Sequence, residues 1–102
     1  MNEYNDKSLR HGYWEVYTSD GNLWYTGNYI NGEYFGYWEW YYFNSNLRYK
    51  GTFNNGKQNG YWEQYHSNGN LWYKGDYVNG ERVGCWDWYN KNGDLVIKEF
   101  VL

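Results

Sequence analysis

The chain contains no proline, a single cysteine and no long apolar run. One cysteine, Cys85, cannot form a disulfide within the chain, so a reducing, cytoplasmic setting is expected. Because glycine or charge interrupts every apolar stretch, we expect neither a signal peptide nor a membrane-spanning segment. The net charge of −3 lacks the basic stripe that nucleic acid requires, so no nucleic-acid partner is predicted.

Aliphatic side chains are also scarce, and aromatic residues take their place. Aromatic residues make up 26% of the 102 residues, with 8 Trp and 15 Tyr. A single domain of this size buries roughly 60–70% of its surface. The driving force for folding must therefore come from tryptophan and tyrosine, which combine a large apolar area with a polar edge.

A glycine and a tryptophan, two residues apart, recur every 24 residues. The repeated positions are Gly12 and Trp14, Gly36 and Trp38, Gly60 and Trp62, and Gly84 and Trp86, with Leu23, Leu47, Leu71 and Leu95 and with Gly27, Gly51 and Gly75 at two further positions. Such a period indicates units that bury their apolar faces by stacking on their neighbours. We assign units 12–35, 36–59, 60–83 and 84–102 to a repeat domain of residues 11–102, and residues 1–10 to an N-terminal extension or cap.

Each unit contains two turn signals in which Asn or Asp precedes Gly, as in Asn68-Gly69 and Asn79-Gly80. These pairs favour two-residue turns with positive φ. At Ser45 the glycine is missing, and a neighbouring Asn is expected to adopt the left-handed conformation. The turns follow one another too closely for helices. We therefore predict an all-β fold, in which eight strands form tandem hairpins in one elongated, twisted antiparallel meander.

Two-residue turns also predict which residues face each other. The turn at Asn68-Gly69 pairs Trp62 with Gly75, Glu63 with Lys74, and Tyr65 with Trp72. The turn at Asn79-Gly80 pairs Tyr73 with Trp86. We expect each indole to lie over the glycine with which it pairs, and Lys50 and Lys74 to bind Glu39 and Glu63 as cross-strand ion pairs.

This register divides the side chains between two faces, which we call the tryptophan face and the acid face. The tryptophan face carries Trp14, Trp38, Trp62 and Trp86 with Leu23, Tyr25, Tyr29, Leu47, Tyr49, Phe53, Leu71, Tyr73 and Tyr77. The acid face carries Glu15, Glu39, Glu63 and Asp87 with Tyr17, Trp24, Tyr41, Lys50, Tyr65, Trp72, Lys74 and Lys98. The predicted interaction surface comprises residues of the acid face and of variable positions beside it: Tyr17, Trp24, Tyr41, Arg48, Lys50, Tyr65, Trp72, Lys74, Trp40 and Trp88.

No catalytic residue, cofactor or metal site is predicted. Neighbouring carboxylates of the acid face are two strands apart, roughly 9.5–10 Å, which exceeds the roughly 5–5.5 Å of a retaining glycosidase pair. His11 and His66 occupy unrelated repeat positions, which disfavours a metal site. Cys85 stands where the other copies have tyrosine, and is interpreted as a drifted repeat position.

The units resemble MORN repeats, in the variant form found in YwqK-type "antitoxin component" proteins. The resemblance is carried by Tyr49 to Gly56, Gly60 to Tyr65 and Asn68 to Leu71. It implies a row of β-hairpins in one long sheet and a non-catalytic role in membrane association, protein scaffolding or dimer formation. The last unit departs from the pattern, with Ile97, Glu99 and Val101 where Tyr, Gly and Tyr are expected.

Three kinds of partner remain open at this stage. The first is a protein, with self-association as a homodimer because the last segment is an aliphatic strand edge. The second is a phospholipid membrane surface contacted through Lys50, Lys74 and Lys98. The third is a carbohydrate stacked on the aromatic rows.

Overall fold

The computed structural model describes residues 1–102 and consists of strands and turns without any helix. All strands belong to one antiparallel sheet with extents of 48 × 35 × 12 Å, so the molecule is one layer thick. The strands are β1 (Glu3–Tyr4), β2 (Arg10–Tyr17), β3 (Leu23–Ile30), β4 (Glu33–Tyr41), β5 (Leu47–Asn54), β6 (Lys57–Gln58), β7 (Gly60–Tyr65), β8 (Leu71–Val78), β9 (Glu81–Tyr89) and β10 (Leu95–Val101). The predicted all-β repeat architecture is confirmed.

The eight longer strands form four hairpins in chain order, which we number 1 to 4: β2–β3, β4–β5, β7–β8 and β9–β10. The two short strands are additions to this meander. β1 pairs with β2 at the first edge of the sheet. β6 and β7, which follow each other in the chain, both pair with β5.

The turns that link one hairpin to the next have the predicted geometry. Asn31, Asn55 and Asn79 have φ of 48°, 51° and 50°, and the glycine after each is also at positive φ. Two successive residues at positive φ define the primed turn, whose twist matches that of the flanking strands. The Asn-Gly signal therefore predicts these three turns correctly.

The turns at the hairpin tips differ from the prediction. The loop runs from His66 to Asn70, and the N–H of His66 donates to the carbonyl of Asn70 at 2.8 Å. Within the loop only Gly69 takes positive φ. This longer loop pairs Tyr65 with Leu71 instead of Trp72. Trp72 is left as a β-bulge, and the same holds for Trp24, Arg48 and Val96 in the other hairpins.

The bulge at each tip restores the register that the longer loop shifts. Trp62 pairs with Gly75 and Glu63 with Lys74, as predicted. Opposite residues of an antiparallel pair share one face, so the leucine opposite Tyr65 belongs to the acid face. The placement of Leu23, Leu47 and Leu71 on the tryptophan face was therefore wrong.

Ser45 replaces the tip glycine in hairpin 2 and itself takes φ of 73°, so the expectation that a neighbouring Asn would do so was wrong. An L-residue in this conformation is strained by about 1–2 kcal/mol. Serine also makes the unfolded chain less flexible than glycine does, which offsets part of this cost. We expect Ser45→Gly to raise the free energy of unfolding by about 0.5–1 kcal/mol. Urea denaturation measures the change. The reciprocal Gly69→Ser should lower it, and equal effects of both variants would contradict this account.

A second bulge lies where each hairpin meets the one before it. The β8–β9 pairing shifts between Lys74 and Asp76, so Tyr73 pairs with Trp88 and not with Trp86 as predicted. The extra residues follow Gly84, which has φ of 71°. The corresponding glycines of the other units, Gly12, Gly36 and Gly60, also have positive φ, a conformation that glycine adopts without steric cost.

This bulge places each tryptophan over the hairpin that precedes it. A Cβ added to Gly75 would lie 2.2 Å from the indole of Trp86, and one added to Gly51 would lie 2.1 Å from that of Trp62. Gly27 stands under Trp38 in the same way. The prediction that each indole covers its paired glycine named the wrong glycine, because the side chain leans toward the opposite neighbour.

These indoles are the centre of the core. Trp38 and Trp86 are completely buried, and Trp14 and Trp62 nearly so. Their indole N–H groups donate to backbone carbonyls. That of Trp62 lies 3.0 Å from the Thr52 oxygen of the preceding hairpin. A single layer can bury these rings because a glycine lies beneath each indole of hairpins 2 to 4.

Different contacts replace this packing at the two ends of the sheet. Trp14 has no preceding hairpin, and it packs edge-on against Tyr4 of β1 and under the guanidinium of Arg10, 4.4 Å away. At the other end, position 99 has no tryptophan above it. Glu99 stands there instead of glycine and binds Arg82 at 2.9 Å, while Arg82 lies 5.0 Å from the Trp86 ring.

Candidate functional site

Three of the four carboxylates of the acid face, Glu15, Glu39 and Glu63, are each held between two tyrosines of the same strand. Glu39 accepts hydrogen bonds from the hydroxyls of Tyr37 at 2.7 Å and Tyr41 at 2.5 Å. The flanking tyrosines bond Glu63 and Glu15 in the same way. Alternate residues of a strand share a face, so this motif follows directly from the Tyr-x-Glu-x-Tyr spacing.

This arrangement changes the proton affinity of both partners. Burial and then the hydrogen bond to Glu39 raise the pKa of Tyr37 and Tyr41 well above the usual tyrosine range. The pKa of Tyr61 and Tyr65 is raised for the same reasons, with Glu63 as the partner. Desolvation works to raise the pKa of Glu63, but the tyrosine hydrogen bonds and the nearby Lys50 outweigh it and lower the pKa.

The raised pKa values predict alkaline instability. A tyrosine whose pKa is higher in the folded state contributes stability below its unfolded pKa of about 10, and this contribution is lost as pH rises through the folded pKa. We expect the melting temperature to be insensitive to tyrosine ionisation up to about pH 9 and to fall steeply above about pH 10. Thermal melts followed together with phenolate absorbance measure both events.

A variant carrying Tyr37→Phe and Tyr41→Phe is the control for this prediction. It lacks two of the four strongly shifted hydroxyls of the acid face, so its melting temperature should fall less between neutral and alkaline pH. The same fall in the variant and the parent protein would show that other groups cause the instability.

Two of the three lysines on the acid face are ion-paired. Lys50 lies 3.4 Å from Glu63, and Lys98 lies 3.0 Å from Asp87. Lys74 forms no ion pair and lies 6.0 Å from the ring of Tyr89. The predicted partners of Lys50 and Lys74 were therefore wrong, since Lys50 reaches across to the next hairpin rather than to its own hairpin partner Glu39.

The bulged residues at the hairpin tips are exposed but differ in their surroundings. Trp72 is 38% exposed and stacks on His66, with ring centroids 5.1 Å apart. Arg48 lies 5.4 Å from the ring of Tyr42. Trp24 is 49% exposed and packs only edge-on against its neighbour Tyr25. The bulge turns these variable positions outward at the end of each hairpin.

The remaining predicted interaction residues are less accessible. Tyr41 and Tyr65 are half-buried, whereas Tyr17 is exposed. Trp40 stacks between Trp38 at 5.1 Å and Tyr49 at 4.6 Å on the tryptophan face. Trp88 lies 4.6 Å from Tyr73 and donates its indole N–H to Glu99. Trp40 and Trp88 thus have packing contacts, and their part in an interaction surface stays a prediction.

The tips of hairpins 2, 3 and 4 are joined by side chains that the sequence reasoning missed. Tips 2 and 3 each form side-chain hydrogen bonds to carbonyls of the following tip. The side chains are an aromatic residue and the asparagines two and four positions after it. Tyr42 and His66 contact the carbonyls of Tyr65 and Tyr89 at 2.6 and 3.0 Å. Asn44 and Asn46 donate to Ser67 at 2.7 and 2.9 Å, and Asn68 and Asn70 donate to Lys91 at 2.8 and 2.7 Å. The signal in the sequence was the recurrence of asparagine at these two positions.

The tips of hairpins 1 and 2 are not joined, and a cleft lies between them. Thr18 occupies the aromatic position of tip 1 and Asp20 the first asparagine position, and no side chain of this tip donates to Tyr41 or Phe43. The cleft has a volume of about 470 Å³ and is lined by Tyr17, Thr18, Ser19, Leu23, Trp24, Tyr41, Tyr42, Phe43 and Arg48. Phe43 at its rim is 83% exposed. We call this cleft the tip slot.

The exposed aromatic side chains at the tips offer surfaces for binding. The carboxylates of Glu39 and Glu63 each accept hydrogen bonds from two tyrosines, and no group of three His, Cys, Asp or Glu residues is placed to hold a metal ion. Cys85 is exposed and unpaired. Exposed aromatic side chains that rim a cleft are typical of contact sites for other molecules.

Comparison with known proteins identifies one family. The family model described as the MORN repeat variant matches residues 10–31, 36–55 and 58–79, which together exceed half of the chain. The matched segments cover most of the first three units, whereas the fourth, with its departures at 97, 99 and 101, lies outside them. No curated protein shows significant similarity to the sequence.

Proposed function

The chain belongs to the MORN repeat variant family, and we propose that it binds a protein partner through the exposed aromatic side chains of its hairpin tips. MORN repeats are generally non-catalytic interaction modules. The general role as an interaction module therefore follows from the family. The binding site at the tips and the choice of a protein as the partner are our proposal.

The observation that carries the proposal is the exposure of aromatic rings at the tips. Phe43, Trp24 and Trp72 are 83%, 49% and 38% exposed, whereas the repeated tryptophans of the core are buried. Tryptophan and tyrosine dominate interface hot spots because they combine large area with a polar edge. The rigid sheet holds these rings at fixed positions, which lowers the entropy lost on binding.

Affinity capture from an extract of the source cells tests the proposal. We expect a variant with Trp24→Ala and Phe43→Ala to recover at least about tenfold less partner than the parent chain, since truncating hot-spot residues typically costs more than 1 kcal/mol each. Phe35→Ala is the matched control, because Phe35 is similarly exposed but lies near the linking turn of hairpin 2. Equal recovery by all three chains would contradict binding at the tips.

Self-association is a second part of the proposal. β10 pairs with β9 only, and Val96, Ile97 and Phe100 on this edge strand are exposed. An unpaired apolar edge is a template for a strand of another molecule. We expect light scattering to give the mass of a dimer, and Val96→Lys with Phe100→Lys to reduce it to that of a monomer. A monomeric parent chain would refute this part alone.

A lipid surface is the competing partner, and the lysines of the acid face argue against it. Lys50 and Lys98 are neutralised by carboxylates, and the net charge is −3. Separately from surface binding, no helix of the structure has the length and apolar character to cross a membrane. We expect no co-flotation with phosphoinositide-containing vesicles. Flotation that salt abolishes would replace the protein partner with an anionic membrane, because charge attraction is screened whereas aromatic burial is not.

A further inference from the structure

The tip slot is the one place where the contact between neighbouring tips is not made by the chain itself. The same contact occurs twice elsewhere, from tip 2 to tip 3 and from tip 3 to tip 4. In the third unit the ring of His66 stacks on the bulged Trp72, and in the second the ring of Tyr42 lies beside the bulged Arg48. The bulged residue of the first unit, Trp24, has no such ring upon it, because Thr18 is too short to supply one.

The unfilled contact leaves the Phe43 carbonyl without a donor, although Asn22 of tip 1 stands where Asn46 and Asn70 donate in the next two tips. The carbonyls of Ser67 and Lys91 each accept two asparagine amide groups. The equivalent carbonyl of Phe43 accepts no hydrogen bond. Tip 1 adds a further acceptor, since the carboxylate of Asp20 stands where the next two tips have an amide donor. The single cation at the slot, Arg48, lies against the rings of Tyr42 and Tyr49.

These features define what would fill the slot. The occupant must supply a flat ring for Trp24, a donor at the edge of that ring, and an amide donor for the Phe43 carbonyl. A tight turn with an aromatic residue and asparagines two and four positions later has this chemistry, as residues 42–46 and 66–70 show within the chain. Tip 1 keeps its own turn over residues 18–22, so a partner's turn reaches these groups from the open side of the slot.

We propose that the tip slot binds a β-turn of a partner protein that presents tyrosine or histidine followed by asparagine at the second and fourth positions. This inference rests on the proposed function and specifies its site and its ligand class. The partner's ring stacks on Trp24 with its polar edge toward Tyr41, and its amides donate to Phe43. A donor is favoured at the Phe43 carbonyl because no group of the chain donates to it.

A cyclic peptide with the sequence of residues 41–47 is the probe. Tyr41 and Leu47 pair across tip 2, so replacing these two peptide residues by disulfide-bonded cysteines holds the loop in the turn that fills the equivalent contact. We expect saturable amide and indole NMR shifts at Trp24, Tyr41 and Phe43, with a dissociation constant of about 1 mM, which corresponds to about 4 kcal/mol. The peptide with alanine in place of its tyrosine should bind at least about tenfold more weakly.

The matched protein variant fills the slot from within. Thr18→Tyr with Asp20→Asn gives tip 1 the side chains of tip 2, so it should raise the melting temperature and abolish the shifts caused by the peptide. Trp24→Ala, which removes the floor of the slot, should also abolish them. Unsaturable shifts in the parent chain, binding retained by the filled variant, or shifts centred on Trp72 would each overturn the proposal. If the peptide fails while partner capture still depends on Trp24 and Phe43, only the turn chemistry is refuted and the proposed function stands.

Discussion

Gly51→Ala is expected to destabilise the protein by about 3 kcal/mol, because the added Cβ would overlap a buried indole. The Cβ would lie 2.1 Å from the indole of Trp62, far inside contact distance. The ring cannot move away, since Trp62 is 4% exposed and its N–H is held by the Thr52 carbonyl. Urea denaturation measures the loss, which is a large fraction of a total stability of about 5–15 kcal/mol.

Two comparisons make this prediction specific. In a Trp62→Ala background, Gly51→Ala should be neutral or slightly stabilising. The space above position 51 is then open, and alanine loses less backbone entropy on folding than glycine. Position 99 is the second control, since it is equivalent to position 51 but has no tryptophan above it. Because Glu99 already carries a Cβ, the matched comparison there is Glu99→Gly with Glu99→Ala, and the alanine variant should be at least as stable as the glycine variant. Additive effects of Gly51→Ala and Trp62→Ala would show that the indole is not the cause.

Trp38→Ala is expected to cost about 3–5 kcal/mol of unfolding free energy, the range for removing a fully buried tryptophan. Trp38 is 0% exposed, covers Gly27 and stacks on Trp40. A layer only 12 Å thick has no second row of side chains that could collapse into the space. Denaturant midpoints, with Trp38→Phe as a variant that keeps part of the packing, measure the effect.

Trp24→Ala is the matched control for Trp38→Ala. It removes the same side chain from an exposed bulge, and substitutions at such surface positions usually change stability by about 0.5 kcal/mol or less. The pair separates the tryptophans that hold the sheet from those available to a partner. A loss of several kcal/mol from Trp24→Ala would mean that the tip belongs to the core, and the proposed function would lose its principal residue.

Much of the fold could be predicted from spacing alone. The 24-residue period and the Asn-Gly pairs predicted the eight strands, the linking turns and the pairing of Trp62 with Gly75. The tip loops could not be predicted in the same way, because two irregularities cancel there. The longer loop shifts the register by one residue and the bulge at Trp72 shifts it back. The pairs beyond the bulge therefore agree with the prediction, whereas the pair beside the loop, Tyr65 with Trp72, does not.

The glycine that each indole covers was beyond the reach of register arithmetic. Pairing states which backbone positions are opposite, but Gly75 lies between Trp62 on one strand and Trp86 on the next. The choice between them depends on the bulge after Gly84, which is visible in the sequence only as one more repeated glycine. The same limit explains Trp40 and Trp88, whose variation between copies suggested a binding role although packing accounts for their position.

The candidate site was predicted in part. Trp24 and Trp72 were selected because the position varies between units, and they lie at the exposed tips. The tip slot itself depends on which side chains are absent from tip 1, and the substitutions at Thr18 and Asp20 acquire meaning only once Tyr42 and Asn44 are seen to reach the next tip.

The covering of each glycine by the following tryptophan has a consequence for the order in which the protein is made. The N-terminal residues leave the ribosome first. Tyr4, which packs on Trp14, precedes every hairpin, and Arg10, which also contacts Trp14, begins the first one. The glycine of each newly synthesised hairpin is at first exposed to water. It is covered once the tryptophan of the following hairpin has been synthesised and packs over it. No unit waits for a distant segment, so stalled nascent chains of increasing length should gain protease resistance one hairpin at a time, from the first to the last.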